Sequence, residues 1–449
     1  MSVEFRFSDF FYPASLLKLR YAFERNQWRS TADLKAYQDE RLRAIVQHAA
    51  ARVPYYRELF RRLGISPADI RTASDLRRLP ILAKSTLRSR VLAFRSDDFS
   101  AYHPMAMSTS GSSGRRLNFL LDRKTNVLEF AYYWRHWGCA GYRLGDPFAE
   151  FSTTFFLKPE NAEHGFAYKQ VGTGRLLLNS LYLSPRNVDA LCEQMKRHRA
   201  RFLKALPSVA YAFVRLLASR GLRPPHLDGV FSTGEVLFPH QRRAIETAFG
   251  CRVLESYGHM ERVIAASECP RGHLHVNSDY GLLELGAPLP RAAGCRLRRA
   301  PILGTTLYNF SMPLIRYDTG DVAEYDERQG PCACGRGFPV LGRVEGRQED
   351  AIVTPDGRIV TTLFLAFDQV PGIQMGRIVQ EAPDLLVAQA VKTPSAPRGS
   401  EQLLCRVLRK FVGPSMRIQL DFVDREEDLW NPARKDRVVH SKVQVPMAA

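Results

Sequence analysis

From Ser184 to Glu255 the sequence switches repeatedly between two hydrophobic periods, and few folds can absorb such a pattern. Val188, Leu191, Cys192 and Met195 recur at helical spacing, with Ser184 and Pro185 standing where a helix start is expected. The apolar run Phe202–Leu206 reads as a strand. A helix over Val209–Ser219 follows, then a strand at Gly229–Phe231, a helix opened by Pro239 and a strand at Arg252–Glu255. Parallel strands need a crossover, usually a helix, so strand and helix in turn predict parallel α/β architecture.

The flanks differ in character. Within Glu40–Gly64, Leu42, Ile45, Val46, Ala49, Ala50 and Val53 repeat at helical spacing, and Pro54 is expected to break or kink that helix. Beyond Gly346, strand-like runs at Leu385–Val391 and Met416–Phe422 surround a helical stretch at Glu401–Phe411, with Pro394–Pro397 as a surface loop. A chain of 449 residues accommodates one large α/β body at residues 1–345, including a helical segment 1–90, and a small α+β C-terminal domain at 346–449.

Composition narrows the partners. Sixty-four Lys and Arg against 46 Asp and Glu leave a net charge of +18, which favours anionic partners. The basic residues read as spread along the chain, which argues against a nucleic-acid binder. No apolar run reaches the ~18 residues of a membrane span. Met1–Arg20 carries Glu4 and Asp9 and lacks the pattern of a signal peptide, so a cytoplasmic location is expected. Eight cysteines are too few for a disulfide framework in so long a chain, which leaves thiols or metal ligands.

Two groups of residues suggest chemistry directly. Thr109-Ser110-Gly111-Ser112-Ser113-Gly114-Arg115 is a polar glycine-bearing loop, followed by Arg116, and it suits a polyphosphate. Glycines let backbone N–H groups approach the oxygens closely, while hydroxyls and arginines add donors and charge. It is not the Walker pattern, because no Gly-Lys-Ser/Thr follows. Cys269, Cys332 and Cys334, with His273 or His275, provide three thiolates and an imidazole, a set that suits tetrahedral Zn²⁺ in a closed, structural site. Cys139, Cys192, Cys251, Cys295 and Cys405 then read as core or surface thiols.

Further motifs follow the Ser/Gly loop in a characteristic order: Ser232-Thr233-Gly234-Glu235, Ser256-Tyr257-Gly258-His259-Met260-Glu261, Ile315 to Asp321, and Gly346 to Asp350. Together they resemble the adenylate-forming superfamily. Arg52 to Arg57 and Leu79 to Lys84 resemble in particular its phenylacetate-CoA ligase and CapK-like branch.

The resemblance implies ATP and Mg²⁺ as cofactors and a C-terminal domain that is mobile. Thr109, Ser110, Gly111, Ser112, Ser113 and Gly114 would hold the β and γ phosphates of ATP. Gly234, Glu235, Ser256, Tyr257 and Gly258 would line the adenine site, with the Tyr257 ring available for stacking. Glu261 would bind Mg²⁺, Asp321 would accept the ribose hydroxyls with help from Arg347, and Glu349 falls at the hinge between domains. Lys435 would neutralise charge growing on the α-phosphate. Arg434 stands where the family has glycine, and Met260 where it prefers threonine. The resemblance also favours His275 as fourth zinc ligand, with His273 as the alternate, and makes His259 a wall of the pocket.

The expected partners are a small carboxylic acid, apolar or aryl by default, and coenzyme A or an acidic carrier protein. A homodimer is allowed, and neither nucleic acid nor a membrane span is expected. Phe151, Phe155 and Ser208 are the first candidates for the acyl pocket, with Thr153, Phe156, Tyr132, Tyr133, Trp134 and Ala210 nearby in the reading.

Overall fold

The computed structural model describes residues 13–109, 117–170, 174–289, 296–345, 352–360, 362–424, 429 and 438–443. At its centre is a nine-stranded sheet. Its strands lie in the order Val340–Leu341, Leu274–Val276, Ala265–Glu268, Val253–Gly258, Gly229–Thr233, Phe202–Ala205, Phe148–Ser152, Arg175–Asn179 and Ala167–Gln170. The strands from Val253–Gly258 to Arg175–Asn179 are parallel, and those outside them are antiparallel.

Every residue of the Phe148–Ser152, Phe202–Ala205 and Gly229–Thr233 strands is buried, as expected of parallel strands covered on both faces. On one face, helices Val188–Arg197, Pro207–Ser219 and Pro239–Phe249 pack Leu191, Phe213 and Phe249 against Leu203 and Val230. On the other, helix Lys124–Gly138 packs Tyr132 and Trp137 against Phe148, Phe202 and Phe231. The α/β expectation therefore holds, with boundaries adjusted by a few residues. Leu206 is the N-cap of the helix beginning at Pro207 rather than the end of a strand, and the helix at Val188 is capped by Asn187 rather than Ser184.

The expected helix over Glu40–Gly64 is two helices. The first, Thr31–Arg52, starts earlier than its apolar repeat because the Ser30 side chain accepts the Asp33 N–H. It stops at Val53, and Pro54 opens the second, Pro54–Leu63, which ends at Gly64 with φ 63°.

A four-stranded antiparallel sheet was not legible in the sequence: Gly281–Leu285, Arg298–Thr306, Tyr317–Tyr325 and Val344–Glu345. Two of its glycines admit a neighbouring loop. A Cβ on Gly281 would lie 1.9 Å from the Val263 carbonyl oxygen, and one on Gly304 would lie 2.3 Å from a Val263 methyl. Val263 is fully buried in that gap, which anchors the turn just before it. A separate hairpin, Met105–Thr109 with Leu117–Leu121, pairs Thr109 opposite Leu117.

Toward the C-terminus a second mixed sheet has the order Arg417–Phe422, Leu385–Lys392, Ile373–Ala382, Val439–Ser441. Helix Ser400–Val412 packs Leu404, Leu408 and Phe411 into its own hydrophobic cluster, which also takes in Leu157. Among the described residues no helix is long and apolar enough to cross a membrane.

Candidate active site

Strands Gly229–Thr233 and Val253–Gly258 end side by side, Thr233 opposite Ser256, at the carboxyl edge of the parallel sheet where α/β folds place ligands. The chain then turns through His259–Arg262, closed by the Arg262 N–H donating to the His259 carbonyl at 3.1 Å. Arg262 has φ 52°, and Arg316, immediately before Tyr317, has φ 53°. Positive φ at two bulky residues beside the same cluster is backbone strain held by the surroundings. Arg262 is held by donating to the Thr125 hydroxyl at 2.9 Å, with the buried Glu129 at 3.7 Å.

Those turns converge on Glu261, which is 3% exposed. The Tyr317 hydroxyl donates to Glu261 Oε1 at 2.6 Å, Lys84 Nζ lies 3.7 Å from the same oxygen, and His259 Nδ1 lies 3.7 Å from Oε2. Burial alone would push the Glu261 carboxyl up. Lys84, His259 and the Tyr317 hydrogen bond outweigh burial and hold it below the usual carboxylate value. Burial also lowers His259, against the pull of Glu261. Its two ring nitrogens are buried with no hydrogen-bond partner among the described residues.

Lys84 reaches the cluster through a distant pairing. The Leu82 N–H donates to the Arg316 carbonyl, and the Asp318 N–H donates to the Leu82 carbonyl, both at 2.9 Å. Lys84 and Tyr317 each lie in a motif already noted, Leu79–Lys84 and Ile315–Asp321, but neither motif marks its residue as a neighbour of Glu261.

Tyr257 and Asp321, for which the family resemblance implies adenine and ribose contacts, meet directly. The Tyr257 hydroxyl donates to Asp321 Oδ2 at 2.7 Å, and its ring stands edge-on to His259 at 6.1 Å. Burial, reinforced by the Asp321 charge, pushes the phenol far up, so it remains a donor. Ser256 donates its hydroxyl to the Ser232 carbonyl at 3.2 Å, and Gly258 closes the strand.

Gly234, at φ 86°, makes the exit turn from its strand. The neighbouring Glu235 carboxylate accepts the Ser208 backbone N–H at 3.1 Å, in the first turn of helix Pro207–Ser219. A carboxylate there satisfies an otherwise unpaired helical N–H and faces the positive end of the helix dipole.

The aromatic acyl pocket is not gathered as expected. Phe151 points to the helical face of the sheet, edge-on to Phe213 at 5.1 Å, whereas Tyr132, Tyr133 and Trp134 belong to the core on the opposite face. Tyr132, Tyr133 and Trp134 lie on helix Lys124–Gly138, which covers the face opposite Phe151, so Phe151 is core. Phe155 stacks on Tyr168 at 5.1 Å, in a group with Phe156 and His164. Ser208 is the helix-end donor already described. Ser110, Gly111, Ser112, Ser113, Gly114, Arg115, Arg116, Arg347, Glu349, Arg434 and Lys435 lie outside the described residues.

The second cluster is tight. One ligand atom from each of Cys269, His275, Cys332 and Cys334 lies within 4.8 Å of the others. Cys269 Sγ and Cys332 Sγ are 3.9 Å apart, close to the roughly 3.8 Å that tetrahedral geometry gives two sulfurs each about 2.3 Å from zinc. His275 places Nδ1 2.8 Å from the Phe338 carbonyl, which fixes the tautomer and leaves Nε2 facing Cys334 Sγ at 3.4 Å. His273 Nδ1 sits 3.1 Å from Cys332 Sγ, a hydrogen-bond position outside the four-residue set.

The fold is that of solved adenylate-forming ligases. The solved structure of 2-hydroxyisobutyryl-CoA ligase in complex with 2-HIB-AMP and CoA in the thioesterification state superposes with a TM-score of 0.59 at 19% identity, covering 93% of this chain and 92% of that one. Its postadenylation state gives 0.56 at 18%, covering 89% and 88%. No family model matches the chain. Among curated proteins, the phenylacetate-coenzyme A ligase of Escherichia coli (strain K12) is 35% identical over 346 residues, 72% of this chain and 73% of its own. That of Thermus thermophilus is 25% identical over 343 residues, 71% and 72% respectively. The chain belongs to the phenylacetate-coenzyme A ligase family.

Proposed function

We propose that this protein is an ATP-dependent, AMP-forming ligase that activates an apolar or aryl carboxylic acid and passes the acyl group to coenzyme A. The observation that carries the reading is the Glu261 cluster at the carboxyl edge of the parallel sheet, in a chain with 35% identity to a phenylacetate-coenzyme A ligase. In the first step a carboxylate oxygen of the acid attacks the α-phosphorus of ATP, the bond to the β-phosphate oxygen breaks, and pyrophosphate leaves. In the second, the thiolate of coenzyme A attacks the acyl carbon and AMP leaves with the bonding pair. Neither step needs a protein nucleophile, so the residues act by orientation and charge.

Asp321 is oriented by Tyr257 and keeps a second oxygen for the ribose hydroxyls. Glu261 is buried and ionised, which suits Mg²⁺; when bound, that ion would neutralise phosphate charge. Lys84 adds a cation at the same place. The Thr109–Gly114 loop would cradle the phosphates. The donor set of Cys269, His275, Cys332 and Cys334 supports a structural Zn²⁺. Division into a body at 1–345 and a mobile domain at 346–449, with Glu349 at the hinge and Lys435 over the α-phosphate, belongs to the same reading, as does a cytoplasmic location.

Pyrophosphate exchange across a panel of acids, followed by AMP release with coenzyme A, tests the reading. Exchange with one class of acid is expected, and silence from folded protein with Mg²⁺ present would sink it. Lys435→Ala should lower exchange by about 10²-fold or more while leaving the melting temperature unchanged. An unchanged exchange rate removes the assigned role.

A further inference from the structure

The basic surplus is not spread evenly, as the sequence had suggested. Between Arg52 and Arg95 eleven Lys and Arg stand against three acidic residues, a surplus of eight in 44 residues, where the whole chain has eighteen. The fold gathers part of it into a track that begins at the active site. Lys84 lies beside Glu261, and Arg88, one turn along the Lys84–Ser89 helix, carries enough field at Tyr317 to oppose its upward shift. Arg90 then bonds to Glu58 at 2.7 Å. Arg61 and Arg62 follow Glu58 by three and four residues on helix Pro54–Leu63, which places them on its face, and their charges add to that of Arg90 in holding Glu58 below its usual value. Three guanidinium groups therefore share the field of one half-buried acid, and Arg61 and Arg62 make no ion pair among the described residues.

The same segment carries apolar side chains in water. Leu63, Ile81 and Leu92 are three of the seven large hydrophobic residues exposed among the described residues, Leu92 at 73% and Ile81 at 51%. They protrude singly, because helix Pro54–Leu63 already buries Tyr55, Tyr56, Leu59 and Phe60 in the core. A membrane-binding helix would instead present a continuous apolar face. A small nucleotide gains little from scattered leucines. An acidic protein surface with its own apolar positions fits both the charge and the leucines.

We propose that the track from Lys84 through Arg90 to Arg61, with Leu92 beside it, docks an acidic carrier protein whose thiol-terminated arm reaches the acyl-adenylate. The proposal rests on the ligase reading above and adds a second thiol acceptor beside coenzyme A. The arm's thiolate attacks the acyl carbon, the bond to the AMP oxygen breaks, AMP leaves with the electron pair, and the thiol proton passes to solvent.

The test compares wild type, the Arg61→Glu/Arg62→Glu double variant and Leu92→Ser. Each is given purified acidic holo carrier proteins, free coenzyme A, or vesicles of phosphatidylserine. Pyrophosphate exchange and the KM for coenzyme A should be unchanged in all three proteins. The KM for carrier protein should rise about tenfold or more in the double variant at low salt, with the gap closing at high salt. Leu92→Ser should raise the same KM without altering its salt dependence. Wild-type transfer to coenzyme A but to no carrier protein overturns the docking site alone, as does vesicle binding that the double variant loses. Wild type silent in pyrophosphate exchange overturns the ligase reading and the docking with it.

Discussion

Glu261 is a carboxylate that burial should neutralise and that its neighbours keep charged. The balance depends on Lys84 first, then His259 and Tyr317, so removing the lysine tips it toward burial. In Lys84→Met the carboxyl binds its proton more readily, and the acidic limb of the exchange rate against pH should move to higher pH. Stability carries the same sign. A carboxyl lowered in the folded state contributes stability above its unfolded value and loses it as pH falls through the folded value. The Lys84→Met variant should therefore lag wild type most at neutral pH and converge with it in acid, measured by urea midpoints. Parallel curves for the two proteins would mean that Lys84 does not govern this carboxyl. Glu261, Tyr257 and Asp321 were legible because each sits in a short motif. Lys84 also ends a motif, Leu79–Lys84, but its role was not legible, because its place depends on Leu82 pairing with a segment more than two hundred residues away.

At the scale of elements, Glu235 separates a structural from a ligand-binding role. Its carboxylate caps helix Pro207–Ser219 at Ser208, so Glu235→Ala should cost about 1 kcal/mol in urea unfolding. A loss of ATP affinity with unchanged stability would return the residue to the nucleotide site. The thiol turns are the other element with a clear test. Cys332→Ser should strip zinc from the purified protein and lower the melting temperature by several degrees, because the Cys332–Cys334 turn ties Arg336 and Gly337 to Gln27 near the N-terminus. A variant that kept both metal and melting temperature would remove the structural site. Three of the five parallel strands were readable from short apolar runs set between helical periods, whereas Phe148–Ser152, interrupted by Glu150, and Arg175–Asn179 were not. The Arg298–Thr306 strand was hidden: it opens with two arginines, contains Pro301, and bulges between Pro301 and Leu303.

Across the whole molecule, the helical and strand periods predicted both the α/β body and the helix and two of the strands of the C-terminal sheet. They could not indicate how the two meet, since those contacts join residues far apart in the sequence. One is explicit: the Thr153 hydroxyl lies 3.1 Å from the Thr362 hydroxyl, beside Leu157 in the C-terminal cluster. If the C-terminal domain must move between adenylation and thioester formation, this contact has to open in every cycle. Replacing both threonines by cysteine puts two thiols side by side at that contact. Oxidised Thr153→Cys/Thr362→Cys protein should then retain at most one half-reaction: pyrophosphate exchange or thioester formation from supplied acyl-adenylate, but not sustained turnover. Reduction should restore the full cycle, which separates locking from misfolding. Undiminished turnover by the oxidised form, with the disulfide verified by thiol titration, would mean that residues 346–449 act from one position.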